Sequence, residues 1–153
     1  MPANVERRTP NAERAFPMPR LMAIDYGRVR LGIAVCDDLG IATRPLGFIR
    51  RETDAQAAKV LAGLAERERI EAFVIGLPLH ANGQAGGNVR WVRDFMVQLK
   101  KCSALPIHEV DERYSSGEAE EALRSEGKWP AEPGQVDAKA AAILLRRYLD
   151  GER

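Results

Sequence analysis

Leu21-Met22-Ala23-Ile24-Asp25-Tyr26-Gly27 is a short apolar run that ends on a carboxylate and then a glycine. Four apolar residues are too few for a helix, so the stretch reads as a buried strand meeting a tight turn, with Asp25 at the strand end. Just beyond it, Leu31, Ile33 and Val35 alternate with Gly32, Ala34 and Cys36. That period of two predicts a second strand, with a small-residue face set against a close neighbour. Asp37 to Gly40 reads as a turn, and a third strand follows over about 41 to 49. Pro45 assigns that strand to a sheet edge, because proline has no N–H for the ladder. Three strands joined by short turns predict an antiparallel meander.

The period then changes. Ala57, Val60, Leu61, Leu64 and Ala65 are spaced as the apolar face of a helix behind a Thr53-Asp54 cap. Ala72 to Leu77 reads as another buried strand, Val89, Val92, Phe95, Met96 and Leu99 as one stripe of a second helix, and Ile107 to Glu112 as a fifth strand. Ser115 or Ser116 caps a short helix through Leu123. A link carrying Gly127, Pro130, Pro133 and Gly134 leads to a last helix from about 136 to 149. Strands alternating with helices become parallel neighbours through right-handed crossovers. The expected fold class is therefore α/β, a five-stranded mixed sheet flanked by helices.

The chain has 153 residues, 45% apolar and 29% charged, which suits one domain spanning 21–150. A formal charge of +1 excludes a global positive field, so nucleic-acid affinity must come from a local patch. Cys36 and Cys102 stand apart, without the spacing of a zinc site or a disulfide framework, and imply a reducing compartment, the cytoplasm. The longest apolar run, Ala140 to Leu145, falls far short of the roughly 18 residues of a membrane span. Residues 1–20, with Arg7, Arg8, Arg14 and Arg20 among prolines, read as a flexible basic extension and not as a signal peptide.

Acids fall where apolar residues are expected. Asp25 closes a buried strand, where an uncompensated carboxylate costs several kcal/mol, roughly. It is either an Asx-turn residue or a metal ligand. Asp137 shares a helix face with Ala141, Leu144 and Tyr148, so its carboxylate points at the sheet; its other reading is an interaction with the helix N-terminus. Asp111 and Glu112 close the fifth strand on opposite faces, and alternation alone does not choose between them; an edge strand guarded by charge is the competing explanation. Carboxylates converging from three segments require a cation. Oxygen ligands suit Mg²⁺ or Mn²⁺, which beside a phosphate support phosphodiester hydrolysis.

These stretches resemble the YqgF/RuvX family of pre-16S ribosomal RNA nucleases and Holliday-junction-resolvase-like proteins. The resemblance runs through Ile24-Asp25-Tyr26-Gly27 and on to Val35, Val74-Ile75-Gly76-Leu77-Pro78-Leu79, Val110-Asp111-Glu112-Arg113 and Val136-Asp137-Ala138-Lys139-Ala140-Ala141, in the family's order and spacing. It implies a ribonuclease-H-like fold and catalytic, metal-holding acids Asp25, Glu112 and Asp137. It also implies trimming of the 5′ end of the 16S ribosomal RNA precursor. His80 and Ala81 depart from the pattern, where Asn and Met are common.

Arg28 and Arg30 after Asp25, and Arg113 after Glu112, are the expected phosphate contacts. Asn88 is the fourth candidate nucleic-acid contact, behind a loop made pliable by Gly83, Gly86 and Gly87 where a helix N-terminus can accept phosphate. His80 is a weak candidate for proton transfer. Trp91 and Trp129 are possible base-stacking residues, with Trp91 expected instead in core or helix–helix packing. The expected partner is structured RNA, the 16S precursor, or branched DNA, with no membrane; monomer and dimer stay open. The alternatives are a resolvase cutting four-way DNA junctions, a non-catalytic RNA-binding assembly factor and, on Asp25-Tyr26-Gly27 alone, an actin-like ATPase.

Overall fold

A computed structural model of the chain describes residues 19–78, 88–113 and 115–151. Arg7, Arg8 and Arg14, the loop glycines Gly83, Gly86 and Gly87, and His80 lie outside the described residues. In chain order the elements are β1 (Leu21–Asp25), β2 (Arg30–Cys36), β3 (Thr43–Arg50), α1 (Asp54–Arg67), β4 (Ala72–Leu77), α2 (Asn88–Cys102), β5 (Ile107–Asp111), α3 (Ser115–Ser125) and α4 (Pro133–Leu149). They build one five-stranded mixed sheet, ordered β3-β2-β1-β4-β5. β1, β2 and β3 form the expected antiparallel meander, and β4 and β5 join in parallel.

β3 is an edge strand, as Pro45 predicts. Its register slips opposite Ile33 and Ala34, where Gly47 and Pro45 are the successive partners and Leu46 is left as the extra residue of a bulge. Strand alternation then sorts the core. Met22, Ile24, Ile33, Val35, Phe73 and Ile75 face α1 and α2, with Phe95 and Leu99 packed on them. Leu21, Ala23, Ala34, Ala72, Val74 and Val110 face α4, which answers with Ala141, Leu144 and Leu145. Small residues are mixed into both partners on the α4 side, Ala23, Ala34 and Ala72 on the sheet and Ala141 and Ala142 on the helix, so helix and sheet approach closely there.

Thr53 caps α1 as expected, its Oγ1 accepting from the Gln56 N–H at 3.0 Å. Val60, assigned to the buried face of that helix by spacing, is 43% exposed; Ala58 lies inside instead. The last helix begins at Pro133, three residues before the expected start. Pro133 and Gly134 are helical and not linker, because a proline in the first turn has no N–H to leave unsatisfied. The Glu132 N–H donates to Gln135 Oε1 at 2.8 Å and closes the turn. Gly134 lets the Phe48 ring lie against the helix, at 2.4 Å from where a Cβ would stand. Arg20 is bound into the fold, its Nε donating to the Glu68 carbonyl at 2.8 Å. No helix among the described residues is long and apolar enough to cross a membrane.

Candidate active site

Asp25 continues the Leu21, Ala23 face of β1 and so emerges on the α4 side of the sheet, partly exposed. Two glycines decide what reaches it. Gly32 is the cross-strand partner of Asp25, and a Cβ there would stand 2.0 Å from the Asp137 carbonyl oxygen and 2.9 Å from the Ala138 nitrogen. The α4 backbone therefore rests on bare β2 backbone, and Asp137 arrives beside Asp25. Gly76, one strand further on, has no side chain where Glu112 lies: a Cβ there would meet Glu112 Oε1 at 2.7 Å and Leu144 Cδ1 at 2.8 Å. A glycine inside a strand is the mark of such close approach.

Glu112 follows β5, and its N–H donates to the Leu77 carbonyl at 3.1 Å, extending the ladder by one bond. Along β5, His108 stacks on Tyr148 of α4 and Val110 packs against α4, so the period of two brings Glu112 to the same side. Asp111 turns away from it. Its carboxylate accepts from the Arg113 N–H at 2.8 Å and from the Arg113 guanidinium. Burial opposes ionisation there, but these Arg113 bonds outweigh it and hold Asp111 below the usual carboxylate range.

Asp25 and Glu112 lie close enough to perturb each other's ionisation. Burial, then the charges of Glu112 and Asp137, hold the Asp25 carboxyl well above the usual carboxylate range. Burial also lifts Glu112, to about 7, with the proximity of Asp25 and the Arg147 charge pulling the other way and the Asp111 charge adding to the rise. Glu112 Oε1 is buried with no hydrogen-bond partner. A buried acceptor left without a donor costs about 1–3 kcal/mol, more when charged, and a bound cation would supply what is missing.

Asp137 stands near enough to act on Asp25 by charge, yet its Oδ2 accepts from Arg30 Nε at 2.6 Å. Among the described residues, no three acids are gathered as a ready-made metal cluster. The structure brings together a carboxyl pair, with the third acid beside it under an arginine. The orphaned oxygen and the oxygen-only side chains of Asp25 and Glu112 are of the chemistry that would suit a hard divalent ion, and Asp137 would have one further oxygen to offer it.

The four expected nucleic-acid contacts separate. Arg30 is engaged by Asp137 and Arg113 by Asp111. Arg28 is exposed at the mouth of the site, with Nη1 donating to the Tyr26 hydroxyl at 3.2 Å. Asn88 opens α2 beside it. Trp91 is 42% exposed, not in the core, because it lies off the apolar stripe of α2. Arg147, which sequence reasoning missed, donates to the Asp111 carbonyl at 3.0 Å and to Glu118 at 2.8 Å, tying β5, α3 and α4 together behind Glu112. No periodicity or motif marks it.

The solved structure of T. thermophilus RuvC in complex with Holliday junction substrate superposes with a TM-score of 0.56 at 16% identity, covering 88% of this chain and 97% of that one. This likeness shows the ribonuclease-H-like fold. A protein of Synechococcus elongatus named "Putative pre-16S rRNA nuclease" is 38% identical over 139 residues, 90% of this chain and 93% of its own length. A protein of the same name from Anaeromyxobacter sp. strain Fw109-5 is 40% identical over 134 residues, 86% of this chain and 97% of its own. The family model described as "RuvX: Holliday junction resolvase" matches residues 19–151, and the chain belongs to the RuvX family.

Proposed function

We propose that this chain is a divalent-metal-dependent nuclease that hydrolyses phosphodiester bonds in the 5′ extension of the 16S rRNA precursor in the cytoplasm. One observation carries the chemistry: a half-buried carboxyl pair, Asp25 and Glu112, in which the Glu112 Oε1 atom is buried and has no partner. A domain that only gripped phosphates would gain nothing from inward acids. The substrate rests on the relatives' names.

In this reading Asp25, Glu112 and Asp137 hold Mg²⁺ or Mn²⁺, and such an ion supplies positive charge for phosphate oxygens and acidifies water at neutral pH. The chain's own residues do the rest. Arg30 fixes the rotamer of Asp137. Arg147 moderates the rise in the Glu112 pKa and braces the strand that carries it. Arg28, exposed beside Gly27, supplies a guanidinium to the phosphate backbone, and Arg113 adds positive potential next to Glu112.

The test is cleavage by the purified full chain of a 5′-extended 16S precursor and of a four-way DNA junction, each with and without Mn²⁺. Metal-dependent cutting of the RNA supports the proposal. Cutting of the junction alone, with light scattering showing a dimer that presents two sites, assigns the resolvase activity that the family description names. No cutting of either, with RNA affinity retained, leaves a binding factor.

A further inference from the structure

Beside Glu112 lies a cleft of about 160 Å³ whose walls include Arg28, Pro78, Asn88 and Trp91. Trp91 exposes 42% of its surface here, although the neighbouring Val89 and Val92 of the same helix are buried. The Arg28 guanidinium carbon lies 4.5 Å from the centre of the Trp91 ring. A chain of bonds holds that arginine in place: Nη1 donates to the Tyr26 hydroxyl at 3.2 Å, which donates to Asp54 at 2.7 Å, and Arg51 Nε donates to the Arg28 carbonyl at 2.8 Å. The guanidinium and the indole thus already stack on each other at an opening shared with a carboxylate, and the 42% of Trp91 that stays exposed is the surface left for a ligand. Asn88 adds an amide with both donor and acceptor character.

We propose that this cleft takes one unpaired nucleobase of the strand being cut, next to the scissile phosphate, so that the substrate is single-stranded at the cleavage point. The inference rests on the nuclease reading for its place in the reaction. A base has a flat π face with which to extend the Arg28–Trp91 stack and a polar edge for Asn88. A base within a duplex has no free face to offer. The cleft holds the volume of about five water molecules, the scale of one heterocycle and not of a base pair.

Trp91 and Trp129 are the two tryptophans of the chain, so a Trp129→Phe protein reports on Trp91 alone. Its fluorescence is titrated, in EDTA to prevent cutting, with a short single-stranded RNA, the same sequence as DNA, and the corresponding duplexes. The proposal expects quenching by single strands and not by duplexes and, by anisotropy of a dye-labelled strand, affinity weakened roughly ten-fold by Trp91→Ala, with Trp91→Phe restoring most of it. A response to RNA only, DNA only or both supports the cleft and identifies the tolerated sugar. Equal quenching by duplexes, no quenching by single strands, or undiminished affinity of Trp91→Ala overturns it. Fluorotryptophan NMR of the otherwise unaltered chain gives the same readout if Trp129→Phe fails to fold. Because no metal or cleavage enters the measurement, a chain that binds single strands through Trp91 and cuts nothing rejects the nuclease reading while keeping the cleft.

Discussion

Gly32 of β2 lies directly under the backbone of Asp137, with 2.0 Å between an added Cβ and the Asp137 carbonyl oxygen. The obstructing atoms are main chain, so no side-chain rotation relieves the clash. Gly32→Ala is therefore expected to destabilise the protein by about 3 kcal/mol, at the upper end of ordinary overpacking, and to move α4 off the sheet, taking Asp137 away from Asp25. Gly63→Ala is the control. Gly63 lies inside α1 with nothing within 4 Å of an added Cβ, and alanine there is expected to stabilise by about 0.5–1 kcal/mol. Urea denaturation of both variants checks the contrast, and equal effects would reject the close-approach argument.

Asp25→Asn and Glu112→Gln are expected to separate stability from activity. Each removes a buried charge that burial and its neighbours disfavour, while keeping the shape of the side chain. The metal-free variants are therefore expected to be more stable than the parent at pH 8, by about 1–3 kcal/mol, and to lose metal-dependent cleavage. Paired denaturation and cleavage assays decide this. Variants that still cut would remove these acids from the reaction, and variants less stable than the parent would show that the pair carries no penalty.

The same pair makes stability depend on pH. Both folded-state pKa values are raised, Glu112 from 4.5 to about 7, so the folded protein binds more protons than the unfolded chain. The associated stability is fully present below about pH 4.5 and is lost as pH rises through 7. For Glu112 alone the loss amounts to about 3 kcal/mol. A divalent ion needs the deprotonated oxygens, so saturating Mn²⁺ is expected to raise the melting temperature strongly at pH 8 and little at pH 5. Calorimetric scans at both pH values, with and without the ion, measure it; a metal effect of equal size at both would place binding elsewhere.

The meander, the parallel strands and the position of Asp25 were legible because they rest on local signals: a period of two, a proline at an edge, a glycine after an acid. Gly32 stood in plain view within a small-residue strand face that hinted at close approach, but not at which partner approached, and Gly76 carried no such reading until Glu112 was seen against it. The choice between Asp111 and Glu112 stayed open to pattern because alternation says that they diverge, not which way. Arg113 folding back on Asp111 resolves the geometry, and that is a side-chain event. The Arg30 bond to Asp137 spans 107 positions and left no trace in spacing. Pro133 was misread as linker because proline breaks a helix everywhere except in the first turn, where it stands here.

That long-range pair yields the last prediction. Arg30 Nε reaches Asp137 Oδ2 at 2.6 Å with both side chains partly exposed, so its direct contribution to stability is small, about 1 kcal/mol or less. Its effect on orientation is larger. With Oδ2 held by the guanidinium, the other oxygen of Asp137 remains for a cation beside Asp25, and losing such an outer partner typically costs 10–100-fold, roughly, in metal affinity or activity. Arg30→Ala is expected to show that loss in the Mn²⁺ concentration needed for half-maximal cleavage, with its melting temperature nearly unchanged. Arg30→Lys is expected to recover only part of it, since an ammonium restores the charge without the planar fork. If Arg30→Ala instead needs less Mn²⁺ than the parent, the arginine competes with the ion for Asp137, and its role is to guard an empty site, not to aim a ligand.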